Sequence, residues 1–159
     1  MTLSAVDRIR YHPPMPRLER SAGFILFRED ASFAGGRAYL LLDYGRHWDY
    51  AKGHVEPGED DLTAAHRELH EETGIDDAGV RPGFAHEIEY YFRKPKHGIV
   101  RKTVIFFLAS TRATDVKISH EHVGFEFLSY EDALKRLTYA TAREVLRAAE
   151  AFMSESRLA

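Results

Sequence analysis

The chain has 159 residues, 44% hydrophobic and 30% charged, with a formal net charge of −3 and no cysteine. That length suits one domain with a sizeable core, and the composition is that of a globular protein. Disulfide frameworks and thiolate catalysis are excluded, and the small negative charge lacks the basic face that binding to bulk nucleic acid requires. No apolar run approaches a membrane span and the N-terminus lacks a signal-peptide core, so no membrane partner is expected and the cytoplasm is the expected location.

Residues 1–20, with Pro13, Pro14 and Pro16 and no hydrophobic periodicity, read as an N-terminal arm, and 21–159 as the domain. Residues 21–30 are apolar and bounded by charges, the pattern of a buried strand. Ala34, Gly35 and Gly36 mark a loop, and residues 38–44 form a second buried strand candidate. A turn rich in Gly and Pro (Gly53, Pro57, Gly58) then leads into a helix from about Glu59 to Gly74. Leu62, Ala65 and Leu69 share one stripe of that helix, which is expected to pack on a sheet with the carboxylates on an adjacent outward stripe. Residues 86–92 and 103–108 are strand candidates, separated by a basic stretch with a Pro and a Gly that reads as a loop. A final strand is expected over 123–128. Helical spacing follows over 132–137 and 142–153, with Thr141 as N-cap of the second. Strands on both sides of a helix imply an α/β fold, a mixed β-sheet sandwiched between helices.

The motif helix carries the chemistry. Residues three and four apart share a helix face, which brings Glu68, Glu71 and Glu72 within one turn of each other. Like charges so placed repel, and a hard divalent cation taking carboxylate oxygens turns the repulsion into binding. An acidic face that merely solvates the helix is the alternative reading. Arg67 is placed to pair with Glu59 and pin the turn to the helix.

The whole stretch resembles, at every defining position, the signature of the Nudix hydrolases: Gly53, Glu59, Arg67, Glu68, Leu69, Glu71, Glu72, Gly74 and Ile75. The resemblance implies the Nudix α/β/α fold, catalysis by Glu68, Glu72 and Arg67, and Mg²⁺, with Mn²⁺ as the alternative, held by Glu68, Glu71, Glu72 and the carbonyl of Lys52. Gly53, Glu59 and Gly74 shape the motif. Glu68 is the expected base toward the attacking water. His54, His120 and His122 hint at zinc, but the carboxylates favour a harder metal.

Outside the motif, residues 21–153 are similar to the asymmetric diadenosine tetraphosphate hydrolases, through the segments around His47 and Trp48, the Lys52-Gly53-His54 turn, Lys102-Thr103-Val104 and the Ser-His-Glu-His run at 119–122. That resemblance implies polyphosphate contacts from His47, Lys52 and Lys102, a further metal carboxylate from Glu121, and stacking of Tyr90 and Phe125 on adenine. Tyr90 and Phe125 sit in strand candidates, where an aromatic is equally core material. The chain departs from the pattern at Ala51, where relatives usually have Pro, at Phe125, where they tend to have Tyr, and in a longer loop at 93–101. The implied partner is a small nucleoside polyphosphate. An RNA 5′ end, suggested by Lys94, Lys96, Arg101 and Lys102, or an inositol pyrophosphate is the alternative substrate, and a non-catalytic nucleotide-binding module is a third reading. No signal for the oligomeric state is present.

Overall fold

A computed structural model describes residues 13–156, so residues 1–12 of the expected arm lie outside the described residues. The sheet is built around β1 (Arg17–Glu29), whose residues 21–27 are all buried. β1 begins four residues before the apolar run, within the stretch read as an arm. It pairs antiparallel with β2 (Arg37–Asp43) and parallel with a later strand, which is why its core is apolar on both faces. β3 (Trp48–Asp49) pairs with β2, and the short β4 (Lys52–His54) pairs with β1. β5 (Gly79–Lys94) and β6 (Gly98–Ser110) form a long antiparallel ribbon, β6 being the parallel neighbour of β1. β7 (Gly124–Leu128) returns to β2. The main path runs β3-β2-β1-β6-β5, a mixed sheet.

Period-two alternation along β1 separates the two cores. Ala22, Phe24 and Leu26 face Ala64, Ala65 and Leu69 of α1 (Asp61–Thr73). Ile25 and Phe27 belong to the opposite core, with Ala133 of α2 (Tyr130–Arg136) and Val145, Leu146 and Ala149 of α3 (Ala140–Ser156). Each fully buried Leu or Phe contributes about 1.5–3 kcal/mol, so the two layers hold the sheet from both sides.

Several local expectations are corrected. α1 starts at Asp61 rather than about Glu59, with Asp60 as its cap, the Asp60 carboxylate accepting from the Thr63 amide at 2.7 Å. Gly74 ends the helix at φ 73°, a left-handed conformation that glycine adopts without strain, and donates to the His70 carbonyl at 2.8 Å. Leu62 is 37% exposed rather than packed on the sheet. Glu72, expected outward, is buried at 5% exposure. The basic stretch after Phe92 is mostly strand: Arg93 pairs with Ile99 and Lys94 with Gly98, leaving a tight turn at residues 95–97. Lys96 and Gly98 both take positive φ there. α3 starts at Ala140, so Thr141 lies in its first turn and caps nothing; the Arg143 amide instead reaches the Tyr139 carbonyl at 3.2 Å. No helix among the described residues is long and apolar enough to cross a membrane.

Candidate active site

Arg67 organises the turn that precedes α1. Its Nε and Nη2 donate to the two oxygens of Glu59 at 2.7 and 2.9 Å, and Nη2 also donates to the His54 carbonyl at 2.8 Å. Its Nη1 donates to Glu68 at 2.9 Å and Glu71 at 3.2 Å. The bidentate guanidinium, with the Glu56 amide on the other side, holds the Glu59 carboxyl down at about 2. Every fork of the guanidinium is engaged within the protein, so Arg67 is a positioning residue for Glu59, Glu68 and Glu71.

The three motif glutamates line one cavity of about 540 Å³ together with Ser21, Tyr44, Lys52, Lys102 and Glu121. Burial raises the Glu68 carboxyl above its ordinary range. Burial again, then the charge of Glu68, pushes Glu72 up to about 8, against the opposing pull of Lys52. The Lys52 amide donates to Glu72 Oε2 at 3.3 Å, joining β4 to the helix. Glu121 reaches the cavity on a segment clasped to the end of α1, where the amides of Lys117 and Ser119 each donate at 3.1 Å to the carbonyls of Thr73 and Glu72. His122 is buried in that segment. Its Nδ1 meets Ser119 Oγ at 2.9 Å, while its unpartnered Nε2 stands 3.9 Å from Glu72 Oε2.

Crowded carboxylates with raised pKa values are short of positive charge, and their oxygens are the donors a hard cation takes. A glycine at 53 lets Glu68 lie against the turn backbone, since a Cβ there would meet Glu68 Cδ at 2.0 Å. The residues therefore fit a divalent metal. Among the described residues no three acidic or histidine side chains converge into a ready chelate; Arg67 bridges Glu68 and Glu71 instead.

A second cavity of about 550 Å³ adjoins the first and shares Tyr44, Lys52 and Lys102 with it. It is lined further by His47, Ile88, Tyr90 and Tyr139. Tyr90 lies directly across from Lys102 on the β5–β6 ribbon. Burial and then Lys52 lower the Lys102 ammonium below its usual range. His47 stacks on Tyr44, with ring centroids 4.8 Å apart and planes 5° from parallel, and its pKa is lowered by burial and then Lys52. Lys52 Nζ is 3.3 Å from Asp49 and lies over the Tyr44 ring.

Of the residues singled out from sequence, Glu68, Glu71, Glu72, Glu121, Lys52 and Lys102 meet in the first cavity, and His47 and Tyr90 with Lys52 and Lys102 in the second. Phe125 lines neither. It packs edge-on against Phe127 in the core beneath α1, on the opposite face of the sheet from Tyr90. Period-two alternation makes that choice of face: along β7, residues 125 and 127 point one way and 126 and 128 the other. Tyr139, Tyr44 and Asp49 were missed. Tyr139 sits in the α2–α3 link, tied down beside Trp48, whose amide donates to Thr138 Oγ at 2.9 Å. Nothing local to Tyr139 in the sequence announces this place. The basic residues near the ribbon turn form no open track either, because Lys94 pairs with Glu19 at 2.9 Å and Arg101 with Glu89 at 2.7 Å.

A glutamate-lined cavity along the C-terminal half of α1, beside a mixed sheet between helix layers, defines a class. The family model described as the NUDIX domain matches residues 17–149. The chain belongs to the Nudix family, whose hydrolases generally use divalent metal ions, and it is a Nudix hydrolase. It is 36% identical over 140 residues to a bis(5′-nucleosyl)-tetraphosphatase (asymmetrical) of Caenorhabditis elegans, covering 85% of this chain and 96% of that protein. Its identity to the Sus scrofa protein of the same description is 39% over 146 residues, covering 84% and 95%. A crystal structure of a C. elegans Ap4A hydrolase binary complex superimposes with a TM-score of 0.74 at 32% identity, over 86% of this chain and 98% of that one.

Proposed function

We propose that this hydrolase cleaves dinucleoside polyphosphates, with diadenosine tetraphosphate split asymmetrically into ATP and AMP, and that Mg²⁺ serves it, with Mn²⁺ as a substitute. The observation that carries this reading is the continuity of the two cavities through Lys52 and Lys102: carboxylates on one side, aromatic rings on the other. A substrate with a long anionic chain and a flat base at its end matches that division. The bis(5′-nucleosyl)-tetraphosphatase activity of the relatives supports the same substrate class.

In this reading Glu68, Glu71, Glu72, Glu121 and the Lys52 carbonyl hold the cation. When bound, the ion neutralises charge on the phosphoanhydride oxygens. Lys52 and Lys102 grip the polyphosphate and His47 closes over it. Glu68, whose carboxyl burial raises above its ordinary range, accepts the proton of the attacking water. Tyr90 and Tyr139 present ring faces to a base, the second taking the place expected of Phe125. Arg67 keeps Glu68 and Glu71 oriented through the cycle.

Incubation with diadenosine tetraphosphate and Mg²⁺ tests the proposal by its products. ATP and AMP in equal amounts, abolished by a chelator, are expected. Two ADP per substrate would place attack at the central bridge and overturn the assignment of the two cavities.

A further inference from the structure

Four buried side-chain polar atoms among the described residues have no hydrogen-bond partner, and one of them, Ser21 Oγ, belongs to a residue that lines the catalytic cavity. Ser21 is 1% exposed. A hydroxyl stripped of water and left unpaired costs about 1–3 kcal/mol, so a protein that keeps one at such a place gains something from it elsewhere.

The position of Ser21 in the sheet shows what that is. On β1 it shares a face with Glu19 and Gly23. Gly23 runs beneath Lys52 so closely that a Cβ there would meet Lys52 Cβ at 2.6 Å. Glu19 accepts from Lys94 on the other side. Ser21 itself pairs with His54 on β4 and with Val104 on β6, two residues beyond Lys102. It thus forms the floor of the cavity between the strand that carries Lys52 and the strand that carries Lys102. Lys52 and Lys102, whose ammonium groups are pure donors, line the same cavity as Ser21, and so do Glu68 and Glu72.

We propose that Ser21 is a substrate-binding residue whose hydroxyl donates to a non-bridging oxygen of the polyphosphate chain, resting on the reading of this cavity as the polyphosphate site. The free enzyme carries the unpaired hydroxyl as a cost, and the bound substrate satisfies it.

The test compares wild type with Ser21→Ala by calorimetric titration and by thermal melting without ligand. The probes are a methylene-bridged analogue of diadenosine tetraphosphate and, separately, inorganic tripolyphosphate, each with Mg²⁺. Ser21→Ala is expected to weaken binding of both probes about tenfold, the scale of a hydrogen bond to a charged group, while its melting temperature stays level or rises. Equal affinities in the two proteins overturn the proposal. Weaker binding together with a marked fall in melting temperature also overturns it, since that marks a structural serine. A wild type that binds tripolyphosphate but not the dinucleotide analogue overturns the substrate reading, and the tripolyphosphate comparison still decides the role of Ser21.

Discussion

The carboxylate of Glu68 lies against the α-carbon of Gly53, leaving no room for even a methyl group between the metal-site helix and the turn before it. The contact explains why a glycine is needed at a position whose backbone does not take positive φ. Gly53→Ala must push Glu68 aside. Because displacement of about 1 Å at a reacting centre costs on the order of a hundredfold in rate, kcat/KM is expected to fall by that order while the circular dichroism spectrum is unchanged. Steady-state kinetics of the variant at near-native rates would contradict the contact.

Glu72 makes the metal-free protein sensitive to alkali. Its folded pKa of about 8 exceeds the ordinary 4.5, so the folded state binds more protons than the unfolded chain between those values. Stability from this group is full below about pH 4.5 and is lost as pH rises through 8. Glu72→Gln removes the titration. In chelator, the melting temperature of the variant relative to wild type is expected to climb steadily from pH 5 to pH 8.5, and added Mg²⁺ should stabilise wild type more than the variant. A difference independent of pH would contradict the burial of this carboxylate.

The Glu59–Arg67 pair behaves in the opposite sense. Glu59 is held at about 2 in the folded protein, so its contribution is present above about pH 4.5 and disappears as pH falls toward 2. Melting of Glu59→Gln is expected to lie below wild type at pH 7 and to converge with it in acid. The same variant frees Arg67, so its kcat is expected to fall as well, a loss read by kinetics at pH 7.

Tyr90 and Tyr139 are 38% and 49% exposed, and their substitution leaves the core intact. Stacking on a base is worth about 1–3 kcal/mol. Tyr90→Ala and Tyr139→Ala are each expected to raise KM for diadenosine tetraphosphate by at least severalfold with little change in melting temperature. Phe125→Ala is expected to do the reverse, lowering the melting temperature and leaving KM near wild type. Measured side by side, the three variants separate the base pocket from the core beneath α1.

The contrast between Glu72 and Tyr139 shows what was readable before the fold was known. The glutamates lie within one turn of one helix, so helical periodicity alone brings them together. That periodicity does not say which of them is buried; the clasp of residues 117–122 over the end of α1 decides it for Glu72. Tyr139 reaches His47 through a link between two helices, at 5.4 Å between ring centroids, and such a meeting of distant segments leaves no local trace. Phe125 was misplaced because a strand residue has two faces to choose from, and the pairing of β7 with β2 makes the choice. Pro95 and Gly98 mark a chain reversal, yet the loop expected over 93–101 shrinks to a turn at 95–97. Its flanking charges looked like loop, yet Lys94 pairs with Glu19 across β6, on β1, and Arg101 with Glu89 on the adjacent β5.

Turnover by the single variants Glu68→Gln and Glu72→Gln, with diadenosine tetraphosphate and saturating Mg²⁺, tests most directly whether the glutamate-lined cavity is where the phosphoanhydride is broken. Each substitution keeps the side chain's size and removes its charge. The predicted result is loss of most activity in both, on the order of the hundredfold or more that general acid–base catalysis contributes, with melting temperatures in chelator at or above that of wild type. Near-native rates in both variants would contradict the assignment and move the chemistry elsewhere in the protein.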